Sequence, residues 1–249
     1  MKQVETTIAG TRLMASLSGE TPDILLLHAG GERRHVWRPV QERLARSGIS
    51  SIAYDQRGHG DSDGAVSDGI EAFAADAAAM LRAHPSIRLV VGGSLGGLSL
   101  LLACAEAQIQ ARLSGLVLVD VVPAPDPDRV RSFLTQQGEG LVQSPLVDSI
   151  LSKPDLFTDA ASQIALPLLL VRAGQHGPMS NAEVRRFRAL CPHLRVAHID
   201  TAGHLIARDA PVALADLILD FAQSERVQCR TNTTFPVAGS RMAESLVGR

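Results

Sequence analysis

The sequence predicts a doubly wound α/β domain, and three observations lead to that fold class. Short apolar segments alternate along the chain with amphipathic segments. The apolar segments are continuous rather than alternating, which is typical of strands that are buried on both faces of a parallel sheet. No Pro-, Gly- or Ser-rich linker and no block of charge divides the 249 residues, so we expect one domain.

The elements follow from these patterns in chain order. The first twenty residues alternate loosely and turn at Ala9-Gly10, which favours an antiparallel hairpin. Strands are then predicted at Ile24–His28, Ile49–Asp55, Ile87–Gly92, Leu116–Val121, Leu166–Val171 and Leu194–Ile199. Helices are predicted at Trp37–Arg46, Ala72–His84, Leu95–Gln108, Ala182–Leu190 and Pro211–Gln223.

Two stretches interrupt the alternation. Residues 125–165 contain several prolines between short helical pieces, and an excursion of this size between two strands predicts a lid insertion. Residues 228–249 are polar and weakly patterned. We therefore expect a domain at 1–227 that carries the lid, followed by a polar C-terminal tail at 228–249.

Composition excludes several classes of function. The formal net charge is −2 and basic and acidic residues are interleaved, so we expect no surface for nucleic acid or anionic lipid. The three cysteines are odd in number and lack metal-ligand spacing, which favours a reducing cytoplasm and no metal. Neither a signal peptide nor an apolar stretch of membrane-spanning length is visible, so no membrane partner is expected.

The strongest chemical signal is Gly-x-Ser-x-Gly at residues 92–96, between a predicted strand and a predicted helix. A nucleophilic serine must stand clear of the strand end, which requires a sharp turn, and glycines on both sides remove colliding side chains. The alternative is a glycine-rich turn that cradles a phosphate. The spacing matches neither the dinucleotide fingerprint nor a P-loop, so the motif favours a nucleophile at Ser94.

With three further segments, this motif resembles the α/β-hydrolase superfamily, near its esterases, C–C hydrolases and dehalogenase relatives. The segments are Leu25-Leu26-Leu27-His28-Ala29-Gly30-Gly31, Tyr54-Asp55-Gln56-Arg57-Gly58-His59-Gly60-Asp61-Ser62 and Thr201-Ala202-Gly203-His204. The resemblance covers about residues 22–223 and implies a mostly parallel eight-stranded sheet flanked by helices, with a short lid.

The resemblance also implies roles for individual residues. Ser94 matches the nucleophile, and His204 matches the general base. Gly30 matches the residue whose N–H would complete an oxyanion hole with that of Leu95, although alanine replaces the glycine of the usual His-Gly pair before it. Trp37 stands where the loop often carries a tryptophan, so we expect it at the substrate site.

The sequence leaves open which acidic residue would complete a catalytic triad with Ser94 and His204. Gly177 occupies the position after the seventh strand where most relatives have an aspartate. Asp120, at the tip of the sixth strand, matches the position that some relatives use instead, and chain order would still be serine, aspartate, histidine. The second possibility is a damaged dyad, in which Ser94 and His204 lack an acid, and the third is that Asp200 or Asp209 is the acid.

These residues predict hydrolysis of a carboxylic ester or related acyl bond in a small, largely apolar substrate, through an acyl-enzyme at Ser94. No cofactor is implied, and the expected partner is a small molecule. Lactone, thioester and C–C bond hydrolysis and perhydrolysis use the same machinery. Dehalogenation is disfavoured because the nucleophile position holds serine. A ligand-binding protein without turnover, and a scaffold that uses its tail, are the non-enzymatic alternatives.

Overall fold

A computed structural model describes residues 1–8, 10–137, 144–174 and 177–231, and its centre is an eight-stranded sheet. The spatial order of the strands is β1-β2-β4-β3-β5-β6-β7-β8. Strand β2 is antiparallel to both β1 and β4, and all other neighbours are parallel. The strands are β1 Lys2–Ile8, β2 Thr11–Ser18, β3 Ile24–Leu27, β4 Ser51–Tyr54, β5 Leu89–Gly93, β6 Gly115–Val119, β7 Leu168–Ala173 and β8 Leu194–Ile199.

Helices cover both faces of this sheet. In the described residues they are α1 Arg38–Arg46, α2 Ile70–Ala83, α3 Leu95–Cys104, α4 Ala107–Gln110, α5 Pro127–Gln137, α6 Pro145–Leu151, α7 Pro154–Ser162, α8 Asn181–Leu190, α9 Ile206–Asp209 and α10 Pro211–Thr231. Short 3-10 helices lie at Arg34–Trp37 and Val66–Asp68. None of the described helices combines the length and the apolar character needed to cross a membrane.

The continuous apolar strands divide their side chains between two cores. On β3, Leu25 and Leu27 belong to the core under α2, α3, α7 and α8, whereas Ile24 and Leu26 belong to the core under α1 and α10. Successive side chains of a strand point to opposite faces, so a strand covered on both sides needs apolar residues at every position. This explains why the strands were visible in the sequence as unbroken apolar runs.

The fold class predicted from the sequence is confirmed. Each of the six predicted strands lies within two residues of its observed bounds, and the N-terminal hairpin is formed by β1 and β2. The helix predicted at Leu95–Gln108 is divided into α3 and α4. The last helix continues to Thr231 instead of ending at Gln223, and so crosses the expected boundary at 227. Residues 232–249 of the predicted tail lie outside the described residues.

Helices α5, α6 and α7 form the excursion between β6 and β7 that the sequence marks at 125–165. Residues 138–143 of this stretch lie outside the described residues. Parallel strands that are adjacent in the sheet need a crossover connection, and here that connection is long enough to reach over the carboxyl ends of the strands.

A buried ion pair joins the two loops that follow β3 and β4. Asp55 is fully buried and pairs with the guanidinium of Arg34, which is itself 1% exposed. Its carboxylate also accepts the backbone N–H of Arg34 at 2.6 Å and that of Asp61 at 2.9 Å. A buried charge is tolerated only when it is paired and hydrogen-bonded in this way. The pair therefore fixes the β3–α1 loop against the β4–α2 loop.

Replacement of Asp55 by alanine should destabilise the protein strongly, because it leaves the guanidinium of Arg34 buried without its main partner. We expect a loss of about 3–5 kcal/mol in the free energy of unfolding, measured by urea denaturation. The control is Asp63→Ala, which removes an exposed partner of Arg12 and should cost about 1 kcal/mol or less. Equal losses in the two variants would contradict this account.

Candidate active site

Ser94 stands at a sharp turn between β5 and α3. Its backbone has φ 45° and ψ −111°, a conformation that residues other than glycine rarely adopt. A Cβ at Gly92 would lie 2.5 Å from backbone atoms of Gly96, and a Cβ at Gly96 would lie 2.6 Å from Leu27. The two glycines of the motif are therefore required by close approach of the backbone, as the sequence pattern predicted.

Asp120 lies directly after β6, the strand next to β5, and contacts His204. Its Oδ2 is 2.8 Å from His204 Nδ1, and its Oδ1 accepts the N–H of Ala173 at 2.9 Å. The carboxylate is 3% exposed, so both of its oxygens are satisfied within the protein. With Nδ1 of the imidazole engaged by Asp120, Nε2 is the nitrogen left for proton transfer.

Gly177 lies against the same carboxylate. A Cβ at position 177 would be 2.9 Å from Asp120 Oδ2, closer than such atoms approach in proteins. Asp120 therefore occupies the space into which a side chain at position 177 would project. Of the other candidate acids, Asp209 instead accepts the N–H of Gly203 at 3.0 Å and pairs with Arg208.

Ser94, Asp120 and His204 all line one cavity of about 740 Å³. Most of its lining side chains are aliphatic and come largely from α5, α6 and the residues after β6. These side chains include Leu98, Val121, Val122, Val130, Leu134, Leu146, Val147, Ile150, Leu151 and Met179. The charged lining residues include Glu32, Arg33 and Arg208. A largely apolar chamber with several charged residues suits a small molecule of mixed character.

Gly30 and Leu95 border the cavity beside Ser94. A methyl group added at Gly30 would lie 3.8 Å from the side chain of Leu95, so the two backbones are adjacent. The N–H groups on both sides of Gly30 are engaged, that of Ala29 with Glu32 Oε2 at 3.3 Å and that of Gly31 with His59 Nε2 at 3.1 Å. The N–H of Leu95 belongs to the first turn of α3, where intrahelical acceptors are lacking. Two donors are thus available near the serine.

Trp37 is not at this site, which corrects the expectation from the sequence. It is fully buried in the core under α1 and α10, where it packs with side chains such as Val40 and Leu44, and it does not line the cavity. The 3-10 turn at Arg34–Trp37 carries the side chain away from the strand ends and into the space between sheet and helices. Trp37 therefore supports the loop from behind.

Two residues at the cavity were not singled out from the sequence. The ring of Phe133, on α5, meets that of His204 edge to face with centroids 4.9 Å apart. Burial raises the pKa of Glu32, although its hydrogen bond with Ala29 opposes that shift. Glu32 follows the Ala-Gly-Gly segment directly and could have been noted there. No sequence signal marks Phe133, because its place depends on how the lid folds.

His28 fixes the loop that carries Gly30. Its ring is fully buried, Nδ1 lies 2.8 Å from the carbonyl oxygen of Ala29, and Nε2 accepts the backbone N–H of Gln56 at 3.0 Å. This arrangement requires a neutral imidazole with the proton on Nδ1. Burial lowers the pKa of His28 to about 4, which is consistent with that neutral form.

Comparison with known proteins gives one family and several relatives. Residues 22–141 match the family described as alpha/beta hydrolase fold. The chain is 25% identical over 269 residues to esterase Rv0045c of Mycobacterium tuberculosis, covering 88% of each protein. It is similar to the thioesterase domain from the curacin biosynthetic pathway, with a TM-score of 0.73 and 18% identity. The match covers 88% of this chain and 99% of the thioesterase domain. It is also similar to epoxide hydrolase VrEH1 from Vigna radiata, with a TM-score of 0.74 and 14% identity. That match covers 90% of this chain and 98% of the epoxide hydrolase.

The neutral state of His28 predicts a loss of stability in mild acid. The unfolded chain binds a proton near pH 6.5 but the folded protein does so only near pH 4, so stability falls as pH decreases through this window. When the pH is lowered from 7 to 5, His28 should reduce the free energy of unfolding by about 2 kcal/mol. Urea unfolding of the protein and of His28→Asn at both pH values measures it. A His28 resonance that titrates near 6.5 in the folded protein would contradict the assignment.

Proposed function

The chain belongs to the α/β-hydrolase superfamily, and we propose that it is a serine hydrolase that cleaves a carboxylic ester or a related acyl bond. The observation that carries the proposal is the hydrogen bond between Asp120 Oδ2 and His204 Nδ1, 2.8 Å long, on the cavity that Ser94 also lines. A buried carboxylate that orients an imidazole, on a cavity that a serine at a strand-to-helix turn also lines, is the arrangement used for nucleophilic acyl transfer.

In this proposal Ser94 attacks the carbonyl carbon of the substrate while Nε2 of His204 accepts the hydroxyl proton. Asp120 holds the imidazole in the required tautomer and stabilises the imidazolium that forms. The imidazolium then gives its proton to the leaving alcohol, and an acyl group remains on Ser94. A water molecule, deprotonated by His204, attacks that ester and releases the carboxylic acid, which restores the serine.

The negative charge that develops on the carbonyl oxygen requires donors that are already in place. We assign this role to the backbone N–H groups of Gly30 and Leu95, which border the cavity on the two sides of Ser94. Donors fixed by the fold do not reorganise during the reaction, so they favour the transition state over the bound substrate.

The shape of the cavity supports a substrate with one aliphatic part. Side chains from α5 and α6, such as Val130, Leu146 and Ile150, line the cavity, and so do the charged residues Arg33 and Arg208. We propose that an aliphatic acyl or alcohol group packs against the side chains of α5 and α6 and that the more polar part of the substrate faces the two arginines.

The proposal favours hydrolysis over a non-catalytic binding protein because a carboxylate contacts His204 although position 177 is glycine. That carboxylate belongs to Asp120, which lies against Gly177. Among the related proteins, one is named an esterase and another a thioesterase domain, which supports acyl hydrolysis in general. Discrimination between oxygen esters, lactones and thioesters needs a substrate screen, with p-nitrophenyl esters of graded chain length as its first series.

Ser94→Ala should abolish both ester hydrolysis and covalent labelling by a fluorophosphonate probe, because no other hydroxyl is expected to be activated. We expect turnover to fall by at least about 10⁴-fold. Gel fluorescence and mass spectrometry of the labelled peptide measure the modification. Ser86→Ala, whose hydroxyl instead donates to Pro22 O at 2.7 Å, is the control and should label normally. Folded native protein that is not labelled at Ser94 would refute the proposed function.

Asp120→Asn should lower kcat by about 10³–10⁴-fold while folding is retained, since an amide at this position favours the wrong imidazole tautomer. Steady-state hydrolysis of the best p-nitrophenyl ester provides the measurement. The matched control is Asp209→Asn, near His204 in the chain but hydrogen-bonded to Gly203, for which we expect a change of only a few-fold. If Asp209→Asn were the more damaging variant, Asp120 would not be the acid.

A further inference from the structure

A chain of buried polar side chains connects the two loops that border Ser94. Gln56 donates from Nε2 to the carbonyl oxygen of His28 at 2.6 Å, and its backbone N–H donates to His28 Nε2 at 3.0 Å. The single hydroxyl hydrogen of Ser99 is shared between two acceptors, the carbonyl oxygen of Leu95 at 2.9 Å and Oε1 of Gln56 at 3.4 Å. The chain thus runs from the Gly30 loop to the first turn of α3.

The members of this chain are shielded from water. His28 and Ser99 are fully buried and Gln56 is 1% exposed. A buried amide or hydroxyl without a partner costs about 1–3 kcal/mol, so each group is held in the orientation that satisfies it. Because the partners belong to the loop after β3 and to α3, the hydrogen bonds of Gln56 constrain the distance between these two segments.

These segments carry the two proposed oxyanion donors. On one side, the His28 ring is hydrogen-bonded to Ala29 O, directly before Gly30. On the other, the hydroxyl of Ser99 contacts the carbonyl group of Leu95 itself. The two segments are not consecutive in the chain, because the loop follows β3 and the helix follows β5. The two strands are themselves paired, with Leu27 opposite Gly92, and the polar chain adds contacts between the segments that follow them.

We propose that Gln56 and Ser99 are positioning residues that set the spacing of the Gly30 and Leu95 N–H groups. The inference rests on the proposed serine hydrolase function and deepens it. Neither side chain lines the cavity, so neither is expected to touch substrate. Their effect is transmitted through His28 on one side and through the Leu95 peptide on the other.

This role has a kinetic signature that general weakening of the fold lacks. Oxyanion donors bind the charged transition state more strongly than the neutral carbonyl, so their displacement slows acylation without weakening ground-state binding. A trifluoromethyl ketone forms a charged hemiketal with the serine, whereas the corresponding methyl ketone binds largely as the neutral carbonyl. Affinity for the first compound should therefore fall together with kcat/KM, and affinity for the second should not.

The test compares Gln56→Met with Gln41→Met. Gln41 is also a fully buried amide, but it donates to Ser16 O and Ser51 O, both at 3.1 Å, and does not line the substrate cavity. We expect Gln56→Met to lower kcat/KM and trifluoromethyl ketone affinity by roughly 10–100-fold each, with methyl ketone affinity changed less than about 2-fold. Gln41→Met should destabilise the fold and leave all three quantities within about 2-fold.

Ser99→Ala provides a milder variant that should fold even if Gln56→Met does not. We expect it to lower kcat/KM and trifluoromethyl ketone affinity by roughly 3–10-fold, and Ser51→Ala, another buried serine, to change neither. The proposal is overturned if Ser99→Ala keeps full activity, or if methyl ketone affinity falls as much as trifluoromethyl ketone affinity. Failure of the native protein to react at Ser94 would instead refute the proposed function, so the two failures are distinguishable.

Discussion

The carboxylate of Asp120 is the point on which the arrangement of the candidate site depends. One oxygen is 2.8 Å from Nδ1 of His204 and the other accepts the N–H of Ala173 at the end of β7. The backbone N–H of Asp120 donates to Val171 O at 2.8 Å, so the residue is anchored to the neighbouring strand. An ionisable group buried at the end of an apolar strand is tolerated because both oxygens are paired. The same pairing orients the imidazole.

The sheet also supports local strain at this place. Among the described residues, Ser94 and Asp120 are the two non-glycine residues with positive φ, at 45° and 50°. They follow adjacent parallel strands, and the N–H of Ser94 donates to Val119 O at 3.1 Å, directly before Asp120. Such conformations cost about 1–3 kcal/mol each and persist only where the surroundings fix them. Here the paired strands fix both, which turns the two side chains toward one cavity.

Different segments of the chain supply the polar and the apolar side chains around the candidate site. The loop after β3 is held by polar contacts, among them the Arg34–Asp55 pair and the hydrogen bonds of His28, and by the buried side chain of Trp37. Helices α5 and α6 contribute aliphatic side chains and one aromatic ring, Phe133, against the imidazole. Polar contacts are directional and fix donors, whereas aliphatic walls accept a range of shapes. The candidate site thus combines polar groups in fixed positions with a largely aliphatic chamber.

Sequence by itself determined the strands, the turn at Ser94 and the candidate base His204, because two-sided burial and a sharp glycine turn leave local patterns. It also favoured Asp120 as the acid but left a damaged dyad, Asp200 and Asp209 open, since proximity to an imidazole depends on strands that are distant in the chain. The tertiary structure alone decided that Asp120 contacts His204, that Gly177 leaves room for it, and that Trp37 lies in the core. These are contacts between segments, and no spacing along one segment encodes them.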